Sequence, residues 1–224
     1  MLEISIDQCK YLSELTGEVW AEVRDQYYIP EMSTQSKKYQ ILQEFLDITN
    51  HLNLRFCITG GTLLGIFRDG DFIEWDDDID CDCLLDDVAG KEGELIEAMQ
   101  NHKYIVRYQG GSWPKFSFFK NGEKLSLGIL IPSKSKKWVL RPEYKYPMHH
   151  FAEYEQLNFK SLDVFLPNNP EGYLRHTYGA NWRIPIVSDK EADYMNIKVK
   201  RLSLRQWFIW RGRMVQKFLV RLIQ

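Results

Sequence analysis

The sequence has few cysteines, almost no net charge and no long apolar run. Among its 224 residues there are 4 cysteines, and the formal net charge at pH 7 is -2. No uninterrupted apolar stretch approaches the roughly 18 residues that a membrane-spanning helix needs. Positions 1–10 alternate apolar and polar residues, unlike the continuous apolar core of a secretion signal. These absences predict a cytoplasmic protein without a transmembrane segment.

The cysteines do not follow the spacing of a metal site. Cys81 and Cys83 are two residues apart, and a Cys-x-Cys pair without a second pair lacks zinc-site spacing. Residues two apart on a strand point the same way, so both side chains enter the same packed face. We expect these two and Cys57 to be buried, reduced thiols that pack as small apolar residues.

Charge is distributed unevenly along the chain. Residues 198–224 hold eight basic side chains and no acid, whereas residues 69–87 hold ten acids and no lysine or arginine. This separation disfavours nucleic-acid binding, because the basic residues cluster at one end and the candidate site is acidic. Internal repeats and low-complexity tracts are absent, and the 44% hydrophobic content is sufficient for a substantial core.

The acidic stretch predicts a strand with carboxylates on one face. Successive side chains of a strand point to opposite faces, so Asp78, Asp80 and Asp82 share a face. Like charges on one face repel one another unless a cation lies between them. Oxygen ligands of this kind select Mg²⁺ or Mn²⁺ over softer metals. We therefore expect Asp78 and Asp80 to form the core of a metal site.

A pair of glycines precedes this strand. A strand-like segment ending at Thr59 breaks into Gly60 and Gly61, which permit a tight turn and let a phosphate approach the backbone. Thr62 can add a hydroxyl, and it opens a short helix whose free N–H groups and positive dipole end favour an anion. Paired glycines alone are weak evidence, but followed at this spacing by Asp-x-Asp they predict metal-assisted phosphoryl chemistry.

Two blocks of the sequence resemble a known family. Residues 60–68 (GGTLLGIFR) and 70–80 (GDFIEWDDDID) are similar to the signature of the LicD/fukutin family, a branch of the nucleotidyltransferase-fold superfamily. Residues 170–175 (PEGYLR) and 178–185 (YGANWRIP) resemble the downstream Tyr-Gly…Trp…Pro element of that family. The resemblance covers roughly residues 52–185. It implies an α+β fold, with a nucleotidyltransferase-like mixed central sheet flanked by helices.

The resemblance also implies an activity. Members of this family move a phospho-alcohol, such as phosphocholine or ribitol or glycerol phosphate, from a CDP-activated donor to a hydroxyl of a cell-surface glycan, releasing CMP. The resemblance implies that the donor phosphates are held by Gly60, Gly61 and Thr62. It implies that Asp78 and Asp80 bind Mg²⁺ or Mn²⁺, with Asp76 as a further acid at the edge of the metal site. Arg68 would pair with the charge of the diphosphate.

One position departs from the family pattern. The family's third carboxylate, which is thought to bind a second metal ion or to accept the acceptor's proton, stands where this chain has Ser126. A serine hydroxyl cannot act as a base near neutral pH without activation. Asp82 is the favoured substitute and Asp163 a weaker one. The alternatives are a single-metal site, a catalytically silent nucleotide- or glycan-binding protein, or a nucleotidyltransferase that releases pyrophosphate.

Other side chains are candidates for contacts with the donor. A hairpin is predicted in which residues 116–120 turn through Asn121-Gly122 into residues 125–131, and Lys115 enters its first strand. A helix is predicted to begin after Asn169 and to end at Gly179. The further candidates for the donor are Lys115, Arg175 and Trp182, and His176 could face the site beside Arg175. His149 and His150 are weighed against purely structural roles.

The chain is predicted to have three parts. Helices in residues 1–51 brace the core, residues 52–195 form the catalytic domain, and residues 196–224 form a basic amphipathic helix. The last helix is interpreted either as an interfacial helix at an anionic membrane or as one packed on the domain or a second subunit. In the first case the enzyme is peripheral at the inner face of the membrane, close to a lipid-linked glycan acceptor.

Overall fold

The structure is a computed structural model that describes residues 35–110, 114–140, 144–188 and 195–196. The predicted helix around residues 11–19 lies outside the described residues. The same holds for the basic amphipathic helix, whose apolar and basic positions run from residue 204 to residue 222.

The described residues form six helices and nine strands. In chain order these are α1 (Gln35–His51), β1 (Cys57–Ile58), α2 (Gly60–Asp69), β2 (Ile79–Leu84), α3 (Leu85–Val88), α4 (Glu92–Asn101), β3 (Ile105–Gln109), β4 (Lys115–Lys120), β5 (Glu123–Pro132), β6 (Trp138–Leu140), β7 (Lys145–Pro147), α5 (His149–Ala152), β8 (Tyr154–Phe159), β9 (Leu162–Pro167) and α6 (Pro170–Tyr178). None of the helices in this part of the chain combines the length and the apolar character needed to cross a bilayer.

Seven strands form a mixed central sheet. Its order is β1-β2-β5-β4-β3, and β6 pairs with both β5 and β7. β2 and β5 are parallel, whereas β1 with β2, β4 with β5 and β3 with β4 are antiparallel. β8 and β9 form a separate two-stranded sheet. The mixed sheet flanked by helices that the sequence predicts is therefore confirmed.

One face of the central sheet is apolar and buried. Ile79, Cys81 and Cys83 of β2 expose at most 1% of their surface. The ring of Phe118 on β4 lies 5.7 Å from the ring of Phe45 on α1, which packs on this face. The three cysteines in the described residues are buried free thiols, as predicted. Because side chains alternate, the opposite face of β2 carries the acids.

The predicted hairpin and the helix after residue 169 are confirmed. Asn121 and Gly122 join β4 to β5 with φ angles of 54° and 81°, and a type I′ turn requires positive φ at both positions. Asn169 caps α6, since its side chain accepts a hydrogen bond of 3.0 Å from the backbone N–H of Gly172. Gly179 ends the helix with a φ of 89°.

The helix after the paired glycines begins earlier than the sequence predicts. Gly60 and Gly61 are the first two residues of α2, and Thr59 is its N-cap. We expected the glycines to form a turn before the helix. The first turn nevertheless needs glycine, because Gly60 has a φ of 58° and aspartate side chains pack against both residues.

His150 has a structural environment within α5. Its side chain is 3% exposed, and its Nδ1–H donates to the carbonyl of Asn168 across 2.6 Å. Burial lowers the pKa of His150 below its usual value of 6.5, although the hydrogen bond to Asn168 opposes this effect. The imidazole of His149 lies beside it, with ring centroids 4.1 Å apart, and also lowers the pKa.

This environment predicts loss of stability in weak acid. Because the pKa of His150 is lower in the folded state, the imidazole takes up a proton at a higher pH in the unfolded chain than in the folded one. The contribution of His150 to the free energy of unfolding is therefore fully present above about pH 6.5 and is lost as the pH falls below that value. Urea midpoints measured from pH 7.5 to pH 5 should fall less steeply for His150→Asn than for the wild type. Equal slopes for the two proteins would contradict the prediction. His51→Asn, at an exposed position, is the control.

Candidate active site

The acidic residues lie against the start of α2. A Cβ atom built on Gly60 would overlap the carboxylate of Asp80, whose Cγ would be only 2.8 Å away. A Cβ on Gly61 would overlap the carboxylate of Asp76 in the same way, with its Cγ at 2.9 Å. Glycine at both positions therefore lets two carboxylates approach the backbone of the first helical turn. The structure thus brings the Gly-Gly and Asp-x-Asp segments together.

Backbone and hydroxyl groups hold Asp80 in this place. The N–H of Asp80 donates to Thr62 Oγ1 across 2.9 Å, and the N–H of Thr59 donates to the carbonyl of Asp80, also across 2.9 Å. Thr62 is 1% exposed. Its hydroxyl oxygen therefore positions β2 against α2 from within the protein, and its predicted role as a phosphate contact stays a prediction.

Three consecutive aspartates form a cluster just before β2. Carboxylate oxygens of Asp76, Asp77 and Asp78 all lie within 4.8 Å of one another. Burial above all, and then the charge of the neighbouring Asp78, raise the pKa of Asp76 to about 7, against the lowering effect of Lys38. Such a cluster is stabilised by any cation that enters it.

A buried lysine lies beneath this cluster. The side chain of Lys38 on α1 is 2% exposed, and its Nζ donates to the carbonyl of Asp76 at 2.5 Å and to that of Asp78 at 3.4 Å. Its ammonium also lies 5.8 Å from the centre of the Phe72 ring. Because these bonds go to backbone oxygens, Lys38 fixes the path of the acidic segment, and its charge also acts on the Asp76 carboxyl.

Removing this ammonium should destabilise the fold. In Lys38→Met the chain length is kept, but the Asp76 carbonyl loses a buried charged donor, which costs about 1–3 kcal/mol. Urea denaturation in the presence of a chelator should show this loss. Lys134→Met, at an exposed position in the turn after β5, is the control and should stay within about 0.5 kcal/mol of the wild type. A Lys38→Met protein as stable as the wild type would refute the assignment.

A second lysine pairs with one of the predicted metal ligands. Lys124 on β5 places its Nζ 2.7 Å from Asp78 Oδ2, and both side chains are largely buried. Burial alone would lower the pKa of Lys124, but the nearby carboxylates, Asp78 above all and then Asp80 and Asp77, raise it overall. Lys124 is therefore a fixed positive charge beside the acidic cluster.

The register of the sheet shows which side chains share the acidic face. Ser126 of β5 pairs with Asp80, and Ser117 of β4 pairs with both Ser126 and Arg107 of β3. Residues paired directly across strands point to the same face, so a polar row crosses four strands. This register places Ser126 next to Asp80 on the neighbouring strand. Its Oγ is buried and has no hydrogen-bond partner among the described residues.

A second row of cross-strand paired residues lies two residues further along the strands, on the same face. Asp82 pairs with Gly128 of β5, which in turn pairs with Lys115 of β4. Asp82 is 0% exposed, and a group that exchanges a proton with an acceptor must be reached by it. Its burial counts against Asp82 as the substitute for the third carboxylate, which stays a prediction. Lys115 shares the face of Asp82, two residues along the strand from the row that contains Asp80.

Asp163 lies on a different sheet from the acidic cluster. It is on β9 and accepts a hydrogen bond of 3.0 Å from the side-chain amide of Asn158 on β8. The two residues are paired across the small sheet, and Asp163 is exposed. The structure therefore does not bring this weaker candidate into line with Asp80 on the central sheet.

Three predicted donor contacts lie in the last turn of α2, on α6 and after α6. Arg68 is in the last turn of α2 and bonds Asp69, with Nη2 2.6 Å from Oδ2. Arg175 on α6 is exposed and lies 3.3 Å from Glu171. Trp182 is 3% exposed, and its buried Nε1 has no hydrogen-bond partner among the described residues. Their roles toward a donor stay predictions.

Trp182 connects α2 with the segment after α6. Its ring lies 6.0 Å from that of Phe67 on α2, and the guanidinium of Arg183 lies 4.1 Å from the ring centre. Phe67 is 37% exposed, so an aromatic surface borders the end of α2.

The side chain of His176 is hydrogen-bonded to a different part of the fold, since its Nε2–H donates to the carbonyl of Lys145 across 3.0 Å.

The acidic residues fit a divalent cation of the Mg²⁺ type. The available donors are carboxylate oxygens, which Mg²⁺ and Mn²⁺ prefer. Asp76 and Asp80 lie against a turn where only glycine leaves room for them, and Asp78 lies in the same cluster as Asp76. Asp76, Asp78 and Asp80 are therefore the residues that would hold such an ion.

Two residues at this site, and one further along its polar row, were not expected from the sequence. Asp77 was not singled out, although it shares the cluster of Asp76 and Asp78. Lys38 and Arg107 were missed because their positions in the sequence resemble those of ordinary surface residues, yet they are 2% and 6% exposed. A lysine at an otherwise apolar position of α1, beside Ile41 and Leu42, was the one available signal.

A family profile and several proteins are similar to this chain. The LicD/FKTN/FKRP, nucleotidyltransferase domain profile matches residues 53–169, just over half of the chain. The uncharacterized protein RP689 of Rickettsia prowazekii (strain Madrid E) is 26% identical over 149 residues, covering 62% of this chain and 53% of that protein. Ribitol 5-phosphate transferase FKRP of Homo sapiens is 25% identical over 147 residues, covering 56% of this chain and 28% of that protein.

Ribitol-5-phosphate transferase FKTN of Macaca fascicularis is 23% identical over 178 residues, covering 72% of this chain and 36% of that protein. The matched part of this chain thus spans about half or less of the length of these relatives. Among solved structures, the antibiotic-resistance factor ANT(2'')-Ia is similar with a TM-score of 0.47 and 13% identity, over 84% of this chain and 96% of that one.

The profile match includes the elements that form the site. It contains α2 with its two glycines, β2 with Asp80, and β5 with Ser126, and it ends before the second block of resemblance at residues 170–185. The chain therefore belongs to the LicD/FKTN/FKRP family, and residues 53–169 are its nucleotidyltransferase domain.

Proposed function

We propose that this protein is a divalent-metal-dependent transferase that moves a phospho-alcohol from a CDP-activated donor to a hydroxyl of a glycan and releases CMP. The observation that carries the proposal is the approach of Asp76 and Asp80 to Gly61 and Gly60 within the family's nucleotidyltransferase domain. Two relatives are named ribitol 5-phosphate transferases, which favours ribitol phosphate among the candidate groups.

The proposed roles follow from where each group lies. Asp78 and Asp80 would hold Mg²⁺, with Asp76 at its edge, and the bound ion would neutralise charge on the diphosphate and on the departing CMP. The first turn of α2 lies beside the same acids, and its free N–H groups together with the positive end of the helix would favour the donor phosphates. Positioning and charge neutralisation carry most of the catalysis of phosphoryl transfer.

The reaction is an in-line displacement at the β-phosphorus of the donor. The acceptor oxygen forms a bond to that phosphorus as the bond to the CMP oxygen breaks, and the electron pair leaves with CMP. The acceptor's proton is released to a carboxylate or to water. The products are a phosphodiester on the glycan and CMP, so atoms and charge balance without a further reactant.

Measuring CMP release tests this proposal directly. The full chain is incubated with Mg²⁺ and a panel of CDP-ribitol, CDP-glycerol and CDP-choline, with and without chelator, and nucleotide products are separated by chromatography. We expect Mg²⁺-dependent CMP from one member of the panel. Pyrophosphate release from a nucleoside triphosphate would instead indicate a nucleotidyltransferase. Binding of CDP-alcohols in calorimetry without turnover would indicate a catalytically silent protein, the alternative that Ser126 favours.

The acceptor and the membrane contact are also proposals. We infer a glycan acceptor, free or lipid-linked, from the proposed reaction class. The basic residues 198–224 lie outside the described residues, and their proposed role is peripheral binding to an anionic membrane. Flotation with vesicles containing anionic lipid, compared with neutral vesicles, tests this role, and equal recovery with both would contradict it.

A further inference from the structure

We propose that Lys124 supplies the positive charge that a second metal ion would otherwise provide, so that the site takes one divalent ion and not two. This inference rests on the proposed function and specifies the cation content of the same site.

The position of Lys124 supports this role. Its Nζ lies 2.7 Å from Asp78 Oδ2, and side-chain exposures of 24% and 15% place the pair largely out of water. Leu125 pairs with Ile79, so Lys124 and Asp78 are the preceding residues of two parallel strands. A short side chain or an acid at this position of β5 could not bring a positive charge to Asp78. The register between β2 and β5 therefore places the ammonium of Lys124 beside Asp78.

The neighbouring position of β5 supports the same conclusion. A two-metal site needs carboxylates on both sides of the ion pair, since the two ions lie about 3.5–4 Å apart and each needs its own oxygen ligands. The residue of β5 that pairs with Asp80 is Ser126, which is neutral. Two residues earlier on the same face, β5 contributes a cation. A neutral Ser126 and a cationic Lys124 therefore leave β5 without a carboxylate for a second ion on this face.

Lys124 also reduces the number of Asp78 oxygen atoms that can bind a metal ion. One of its carboxylate oxygens, Oδ2, accepts from Lys124, which leaves Oδ1 for a metal. A fixed ammonium near a divalent ion repels it, so Lys124 should weaken binding of the one ion that the site takes. The proposal therefore makes two separate predictions, one on the number of ions and one on affinity.

The experiment counts Mn²⁺ bound to the full chain by electron paramagnetic resonance of the free ion, without nucleotide. Ions that remain bound to Asp80→Asn are subtracted as adventitious. The variants are Lys124→Met, Ser126→Asp and the double variant. Lys120→Met is the matched control, because Lys120 also bonds a carboxylate, 2.6 Å away at Glu44, and lies on the same hairpin away from the acidic cluster.

We expect one Mn²⁺ per chain in the wild type and in Ser126→Asp, one ion bound roughly tenfold tighter in Lys124→Met, and two ions in the double variant. Two ions in Ser126→Asp alone would overturn the role of Lys124. Lys120→Met should bind like the wild type. Two ions in the wild type would overturn this inference and leave the proposed function intact, as would a double variant that still binds one ion. Unchanged affinity in Lys124→Met would overturn it too. No ion above the Asp80→Asn background would overturn both proposals.

Discussion

Replacing Asp80 by asparagine is expected to lower the rate of CMP release by on the order of 10³-fold, since a metal ion stabilises such a transition state by several kcal/mol and each 1.36 kcal/mol is tenfold in rate. Asparagine keeps the size of the side chain that packs on Gly60 but removes the charge that attracts a divalent ion. The fold should be retained, because the backbone N–H of Asp80 still donates to Thr62.

The measurement is the initial rate of CMP release at saturating donor, with circular dichroism and urea midpoints as a check on folding. Asp86→Asn is the matched control: it removes one negative charge from the same acidic stretch at an exposed position after β2. We expect its rate to equal that of the wild type. Full activity in Asp80→Asn would contradict the assignment of this carboxylate.

Gly60→Ala is expected to lose both stability and activity. The added Cβ would lie 2.8 Å from Asp80 Cγ, and the residue would have to keep a φ of 58°. The backbone conformation alone costs roughly 1–2 kcal/mol, and the carboxylate must move as well. We expect a urea midpoint below that of the wild type and a loss of CMP release comparable to that of Asp80→Asn.

Two other glycines separate these causes. Gly70 has a φ of 72° with nothing within 4 Å of a built Cβ, whereas Gly93 has open space and no positive φ. Gly70→Ala should therefore lose stability but keep activity, and Gly93→Ala should keep both. If Gly60→Ala binds Mn²⁺ and turns over like Gly70→Ala, the close packing of Asp80 on Gly60 is not needed for the reaction.

Local signals in the sequence predict much of this fold. The Asn121-Gly122 pair specifies its turn through the positive φ that both residues adopt. Asn169 and Gly179 bound a helix because each end needs a particular backbone or side-chain group. The alternation of Asp80 and Cys81 on β2 predicts which side is buried, since a strand repeats every two residues.

The remaining features depend on pairing between distant segments. The sequence places Asp82 with Asp78 and Asp80, but it does not predict the complete burial of Asp82 in a strand that lies between β1 and β5. Lys124 reaches Asp78 only because β2 and β5 are parallel in one particular register. The role of Gly60 was also different from the expected turn, because the group that approaches its backbone in this structure is a side chain of the same protein.

Locating a bound ion tests the central claim most directly. Crystals of the full chain grown with Mn²⁺ are measured near the manganese absorption edge, so that an anomalous peak identifies the metal. The account predicts one peak, within about 2.3 Å of carboxylate oxygens of Asp78 and Asp80 and next to the first turn of α2. A map with no peak there, in which Lys124 and Asp78 remain paired and Mn²⁺ lies elsewhere or nowhere, would contradict it.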